Sequence, residues 1–281
     1  MSEHPWHIEA LDLRAYLARV GADVRQPSRS ALDELLEAHV RTFTFDNIDV
    51  LLGQHRGVAL DDVQPKFVGR GRGGYCFEHA TLFAAVLERL GYDVARRLGR
   101  VGDVTTTGRT HFVVVVSLDG QRLLTDPGFG MSHLRSIPLE DGAEDEYLGW
   151  RYQIRRVVPG LAGPSWEMHR LRNAGWELMH TTDELPVHPV DVAMGHHFTS
   201  THPGSHFTRG LMLARHMDGR HTTVTNAALT VRRPGEPTEH RPLRHGELQD
   251  LLHELAVPLT PTEEARLLAV VPDLEPATRP A

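Results

Sequence analysis

Apolar residues recur at three- and four-residue spacing through about the first ninety positions and mostly at two-residue spacing after that. The chain therefore predicts helices first and strands second. Ala10 to Val20 reads as a helix stopped by Gly21, and Ser28 or Ser30 offers the cap of a second one running to about Val40. The stretch from Thr42 to Leu52 is less regular, and a short helix is predicted from Leu60 to Gly69. Phe77, Ala80, Phe83, Ala84, Leu87 and Leu90 then mark one buried face of a helix that starts at Cys76 and ends before Gly91. Strands are predicted over Val94–Val101, His111–Leu118, Gln121–Thr125, Trp150–Val158, Trp166–Leu171 and Trp176–His180. Three more follow at Leu211–His216, His221–Thr225 and Ala228–Arg232, with hairpin turns at Asp119-Gly120 and Asp218-Gly219. So many short strands suggest a barrel or a sandwich. Helices Glu247–Leu255 and Thr262–Val270 close the pattern, and Pro272 to Ala281 reads as a loose tail.

Cys76, the only cysteine, sits where the helical pattern begins, behind a Gly73-Gly74 turn that reads as flexible. Free amides and the macrodipole at a helix N-terminus favour an anion there, which suits a nucleophilic sulfur. The bland alternative is a buried structural thiol. The Asp119-Gly120 turn supplies partners by arithmetic. A two-residue loop sets Leu118 opposite Gln121, and continuing the ladder sets Val113 opposite Asp126. His111 lies two residues further on the same face, the diagonal neighbour of Asp126 at about 7–8 Å between backbones. A histidine base and its orienting carboxylate thus point the same way from adjacent strands, in the chain order Cys, His, Asp. His79, three residues after Cys76, is a rival base, but it has no evident carboxylate to orient it.

Composition narrows the partners. The chain has 281 residues, about 40% of them hydrophobic, and a net charge of −7 with no Lys/Arg block, which argues against nucleic acid. One cysteine excludes an internal disulfide framework and suits a reducing compartment. The first residues carry no basic and apolar leader pattern, and no run approaches the roughly 18 apolar residues of a membrane span, so a cytoplasmic protein is expected. His196, His197, His202 and His206 lie close together, but their spacing matches no familiar metal motif, and no metal is expected.

Five motifs in order resemble the arylamine N-acetyltransferase family over nearly the whole chain. They are Arg72-Gly-Gly-Tyr-Cys-Phe-Glu78, Phe45-Asp-Asn-Ile-Asp49, Thr110-His-Phe112, Asp126-Pro-Gly-Phe-Gly130 and Ser200-Thr-His-Pro-Gly-Ser-His-Phe207. The resemblance implies an α+β fold with a cysteine-protease-like core: an N-terminal helical domain (1–92), a central β-barrel domain (93–195) and a C-terminal α/β domain (196–281). It implies Cys76, His111 and Asp126 as catalytic triad and acetyl-coenzyme A as co-substrate. The acceptor would be an aromatic amine, hydroxyarylamine or hydrazine, and the protein a monomer or homodimer. Gly128, Phe129, Gly130, Ser205 and Thr208 would lie near the coenzyme, whose phosphates exposed loop amides could hold. Four positions depart from the family pattern: Asp46 stands for Glu, Ala80 and His196 for Asn, and Pro127 for Val. They bear on the acyl pocket and the acceptor.

Arg72 is read as a structural partner of Asp46 or Asp49, and Glu78 as a support of its own turn. Tyr75 and Phe129 could line an aromatic pocket or belong to the core. Three competing functions keep some of the same residues: an amide synthase closing a macrolactam from a carrier thioester, a cysteine hydrolase, and a non-catalytic binding scaffold. An acetyl group carried on Cys76 from acetyl-coenzyme A to an amine would separate the transferase from all of them, since the synthase prefers a long acyl thioester, a peptidase ignores both donors and a scaffold takes no acetyl group.

Overall fold

A computed structural model describes residues 4–160, 163–172 and 175–271. The expected tail at 272–281 lies outside them.

The helical first third begins with α1 (Leu13–Val20) and α2 (Arg29–Thr42). Ser28 caps α2 by accepting from the Ala31 amide, while Ser30 instead bonds Glu34 along the helix. A two-residue strand β1 (Phe45–Asp46), α3 (Ile48–Leu51) and α4 (Leu60–Gln64) follow, and a π-type turn (Pro65–Gly69) leads to α5 (Cys76–Arg89). The pattern predicted one buried face for α5. Every residue from Cys76 to Leu87 is buried, because α5 runs through the middle of the principal apolar cluster, with α1 and α4 on some sides and β-strands on others.

Strands β2 (Asp93–Arg100), β3 (His111–Leu118), β4 (Gln121–Thr125), β5 (Ile137–Pro138), β6 (Glu144–Tyr147), β7 (Trp150–Gly160), β8 (Gly163–Arg172) and β9 (Gly175–Asp183) form one antiparallel sheet. Its order is β5-β4-β3-β2-β9-β8-β7-β6, and edge strands β5 and β6 lie against each other, which makes the sheet a nearly closed barrel. Both faces of β3 are buried. Phe112, Val114 and Val116 pack towards α5, and Val113 and Val115 fill the barrel. His111 shares the parity of Val113 and Val115, so alternation aims it into the barrel mouth.

Helices α6 (Pro189–Thr201) and α7 (His206–Arg209) then lead to β10 (Met212–Met217), β11 (Arg220–Thr225), β12 (Ala228–Arg232) and β13 (Glu239–Pro242). β1 joins them, so the second sheet runs β1-β10-β11-β12-β13, and α8 (Glu247–Glu254) and α9 (Pro261–Val270) pack over it. The architecture is the expected α+β combination of helices, barrel and a smaller α/β unit. Helix α6 runs unbroken through the boundary expected at 195/196, where its inner face needs Gly195: a Cβ there would stand 2.8 Å from the Phe77 ring. Among the described residues no helix is long and apolar enough to cross a membrane.

Candidate active site

The stretch before Cys76 is held rather than flexible. Gly74 donates to the Thr44 carbonyl at 3.2 Å and its own carbonyl accepts from Asp46 at 2.7 Å, pairing this segment with β1. The approach is so close that a Cβ on Gly73 would lie 1.8 Å from the Thr44 oxygen. Glu78 reaches back from the first turn of α5 to accept from the Tyr75 amide at 3.1 Å, and also pairs with Lys66 at 2.8 Å. Burial opposes its charge, but Lys66 and His55 outweigh it and hold the Glu78 carboxyl down at about 2. Cys76 is thereby fixed at the start of α5, with 3% of its surface exposed.

The hairpin places its two residues as the ladder predicts. Leu118 pairs with Gln121 and Val114 with Thr125, which leaves Asp126 one step beyond the last pair. Asp119 and Gly120 both take positive φ, the geometry of a type I′ turn. His111 Nε2 and Asp126 Oδ2 stand 2.7 Å apart, both fully buried, and the Cys76 thiol, which donates to the Thr110 carbonyl at 3.6 Å, lies close enough to favour the charged form of the His111 ring. Burial favours neutral His111, yet the Asp126 carboxylate, its hydrogen bond and Cys76 overcome it and raise His111 to about 10. Burial likewise opposes the Asp126 charge, and His111 outweighs it, so Asp126 stays well below the usual carboxylate range. Gly128 closes the site from the far side: a Cβ there would sit 2.8 Å from the Cys76 Cα.

This arrangement brings a sulfur, an imidazole and a carboxylate together at a helix N-terminus. Comparison with known proteins shows the family. An N-acetyltransferase family model matches residues 30–260. The arylamine N-acetyltransferase of Mycolicibacterium smegmatis is 36% identical over 241 residues, 82% of this chain and 86% of that protein. The crystal structure of the Nocardia farcinica arylamine N-acetyltransferase superposes with a TM-score of 0.88 at 34% identity, covering 95% of this chain and 98% of that one. The chain belongs to the arylamine N-acetyltransferase family. A Mycobacterium marinum arylamine N-acetyltransferase solved in complex with CoA is also similar, with a TM-score of 0.82 at 30% identity over 92% of this chain and all of that one.

Other arylamine N-acetyltransferase motif residues have their own partners here. Arg72 is fully buried and bonds Asp49 at 2.9 Å, with Asp46 at 3.9 Å and Glu263 of α9 at 3.6 Å. Asp46, where the family has the longer Glu, spends its oxygens on Thr44 and the Ile48 amide instead. His79 is no base for Cys76. Its Nε2 bonds the Thr44 carbonyl at 3.1 Å and its Nδ1 bonds His39 at 2.9 Å, while burial pushes it down to about 4.

The residues expected at the coenzyme are less free than a glycine-bounded loop suggests. The Gly128 amide already donates to Asp126 at 3.1 Å and the Phe129 amide to Ser132 at 3.0 Å. Gly130 gives its carbonyl to His221, and Phe129 stands edge-on to His111 with ring centres 5.3 Å apart. Ser205 caps α7 and donates to the Thr199 carbonyl, and Thr208 is bonded to the His202 and Ser205 carbonyls. Loop amides 128 and 129 therefore already have acceptors within the protein.

Tyr75 is core, fully buried, with its hydroxyl bonded to His196. The four clustered histidines form no metal-donor group among the described residues; His202 stacks on Phe198, and His206 lies tilted against Phe207. One donor group of three does occur, His111, Asp126 and His180. Its closest pair, at 2.7 Å, is tighter than the roughly 3.3 Å between two ligands of a tetrahedral zinc with bonds of about 2.0–2.1 Å. Hydrogen bonding explains it better than a metal. His180 was not singled out by sequence: its strand was predicted, its direction was not.

Proposed function

We propose that this protein moves an acetyl group from acetyl-coenzyme A through an acetyl-Cys76 intermediate to the nitrogen of an arylamine or arylhydrazine, or to the oxygen of a hydroxyarylamine. The observation that carries it is His111, hydrogen-bonded to buried Asp126 and raised by the nearby Cys76 at the start of α5. In the first half-reaction the Cys76 sulfur forms a bond to the acetyl carbon, the coenzyme's sulfur–carbon bond breaks, and His111 gives its proton to the departing sulfur. In the second the acceptor nitrogen bonds to the acetyl carbon, the Cys76 sulfur–carbon bond breaks, and His111 takes the proton lost by nitrogen. Asp126 keeps one tautomer and supports the imidazolium throughout. The coenzyme lies along Phe129, Gly130 and the turn from Ser205 to Thr208, contacting the backbone and the Phe129 ring rather than the occupied hydroxyls and amides. Acetyl-coenzyme A alone should add one acetyl group to the intact protein, mapped to Cys76, and an arylhydrazine should discharge it with ping-pong kinetics. A protein that ignores acetyl-coenzyme A but loads from a long carrier thioester is an amide synthase. One whose verified reduced thiol takes no acyl group from any thioester is not a transferase.

A further inference from the structure

Two imidazoles approach one oxygen of Asp126. His111 Nε2 lies 2.7 Å from Oδ2 in a good hydrogen bond. His180 Nε2 lies 3.2 Å from the same oxygen, fully buried, but without hydrogen-bond geometry to it. The other His180 nitrogen, Nδ1, sits 3.1 Å from the Thr182 hydroxyl. That hydroxyl can donate, which leaves the ring proton on Nε2, facing the carboxylate.

The backbone is built to aim this ring inward. Met168 pairs with His180 and His169 with Leu178, so Met179 is an extra residue in β9. Leu178 is 38% exposed while both Met179 and His180 are buried. Simple alternation would put 178 and 180 on one face. The bulge breaks that alternation and turns His180 into the barrel mouth, as bulges beside functional sites do.

We propose that His180 is a positioning residue that steadies the Asp126 carboxylate as the second donor to Oδ2 whenever His111 is neutral. This rests on the acetyl-cysteine cycle above. In the resting protein Asp126 faces an imidazolium. Once His111 has given its proton to the departing coenzyme, a fully buried carboxylate is left facing two neutral rings. A charged acceptor gains most from one more N–H donor at that stage. The His180 N–H also draws electron density from the carboxylate, which keeps His111 from holding its proton too tightly to act as a base. The groups facing His180 are Asp126, His111 with ring centres 4.7 Å away, Thr182 and, at longer range, His133. Burial lowers His180 to about 4, Asp126 opposes that shift and the His111 charge adds to it, so His180 stays neutral through the cycle.

The test compares His180→Phe, which keeps a ring and loses the donor, with His180→Gln, which keeps a donor. Discharge of the acetylated protein by an arylhydrazine should slow about tenfold or more in the Phe variant, one charged hydrogen bond's worth. Its acid limb should move to higher pH, because His111 must lose a more tightly held proton. The Gln variant should stay near the natural protein in both respects. Independently of any acetyl group, nitrogen NMR of resting protein should show the His111 titration raised by about half a unit or more in the Phe variant only. If Phe and Gln behave alike, or if His111 titrates unchanged without His180, the positioning role is wrong and His180 is a packing residue. A natural protein that never acetylates refutes the functional proposal, while the NMR comparison still judges His180. If His180→Phe does not fold, Thr182→Val releases the bond on Nδ1 and should raise the His111 titration in the same direction. No shift there overturns the inference.

Discussion

Arg72→Ala should unseat the scaffold under the nucleophile without removing any group that touches substrate. Arg72 has no exposed surface and faces three carboxylates, Asp49 at 2.9 Å, Glu263 at 3.6 Å and Asp46 at 3.9 Å. Its loss does not leave them equally stranded. Asp49 keeps Lys66 at 3.0 Å and Glu263 keeps Arg70 at 2.6 Å, whereas Asp46, fully buried, keeps only Thr44 and a backbone amide. Breaking one buried pair costs about 3–5 kcal/mol. At about 2 °C per kcal/mol for a chain of this size, the melting temperature should fall by about 6–10 °C. The pH dependence gives a second signature. Burial already raises Asp46 against the pull of Arg72 and Lys66. Without Arg72 it should bind its proton more readily in the folded state, so the penalty is full at neutral pH and shrinks as pH falls and Asp46 becomes neutral. Calorimetric melts of both proteins at pH 7.5 and 5.5 measure this, and the gap should narrow at the lower pH. Arg72→Lys should restore little, since an ammonium cannot span three acceptors as a guanidinium fork does. Unchanged melting together with lost coenzyme affinity would refute the structural assignment and move Arg72 into the binding site.

Asp126→Asn should fold and lose at least about a hundredfold in turnover, the usual worth of general base catalysis, because an amide cannot support the imidazolium. In the serine-protease triad the same change costs about ten-thousandfold; near-normal turnover here would mean that Asp126 has another role. Acid should destabilise the protein earlier than its carboxylates alone require. Burial lowers His39, His79, His216 and His221, with His79 at about 4 and His216 at about 3. An unfolded chain binds protons at these positions from about pH 6.5 while the folded one does not, so stability should fall as pH drops from 6.5 towards 4. His111 works the other way: its contribution is whole below about 6.5 and is lost as pH rises through about 10. Melting temperatures taken at half-unit steps should peak between these limits, and a flat curve from pH 7 to 4.5 would contradict the buried neutral histidines.

What could be read from sequence follows from how local each determinant is. The β3–β4 hairpin depends on two turn residues and a sum rule, so Asp119-Gly120 alone predicted the ladder that the structure shows. Ser28 and the start of α5 were legible for the same reason, because caps act over three or four residues. β1 was missed because two residues carry no period, and its pairing with β10 joins positions about 170 apart. α6 was missed because its buried residues are only Val192 and Thr199, while Val190, Met194 and Phe198 face outward, which blurs the apolar stripe that marks a helix.

The site divides along the same line, and that division carries a physical point. Cys76 announces itself by a helix start, and His111 and Asp126 by one hairpin, so all three are set by short-range geometry. The groups that hold them are set by long-range contacts: Glu263 meets Arg72 from the far end of the chain, and His180 meets Asp126 only because β9 pairs beside β2 and carries a bulge. A bulge adds one residue and reverses which side chains face inward, so no alternation rule applied to Trp176–His180 could have found it. Asp46 shows the converse. Its side chain is one methylene shorter than the Glu usual in the family, and it stops 3.9 Å from Arg72 while Asp49 takes the guanidinium at 2.9 Å. Here Asp49 is the closer anchor of the arginine, and the nucleophile's support rests on the pair Asp49 and Lys66. That asymmetry is why Asp49→Asn should disturb this protein more than Asp46→Asn, a difference that paired melts would resolve.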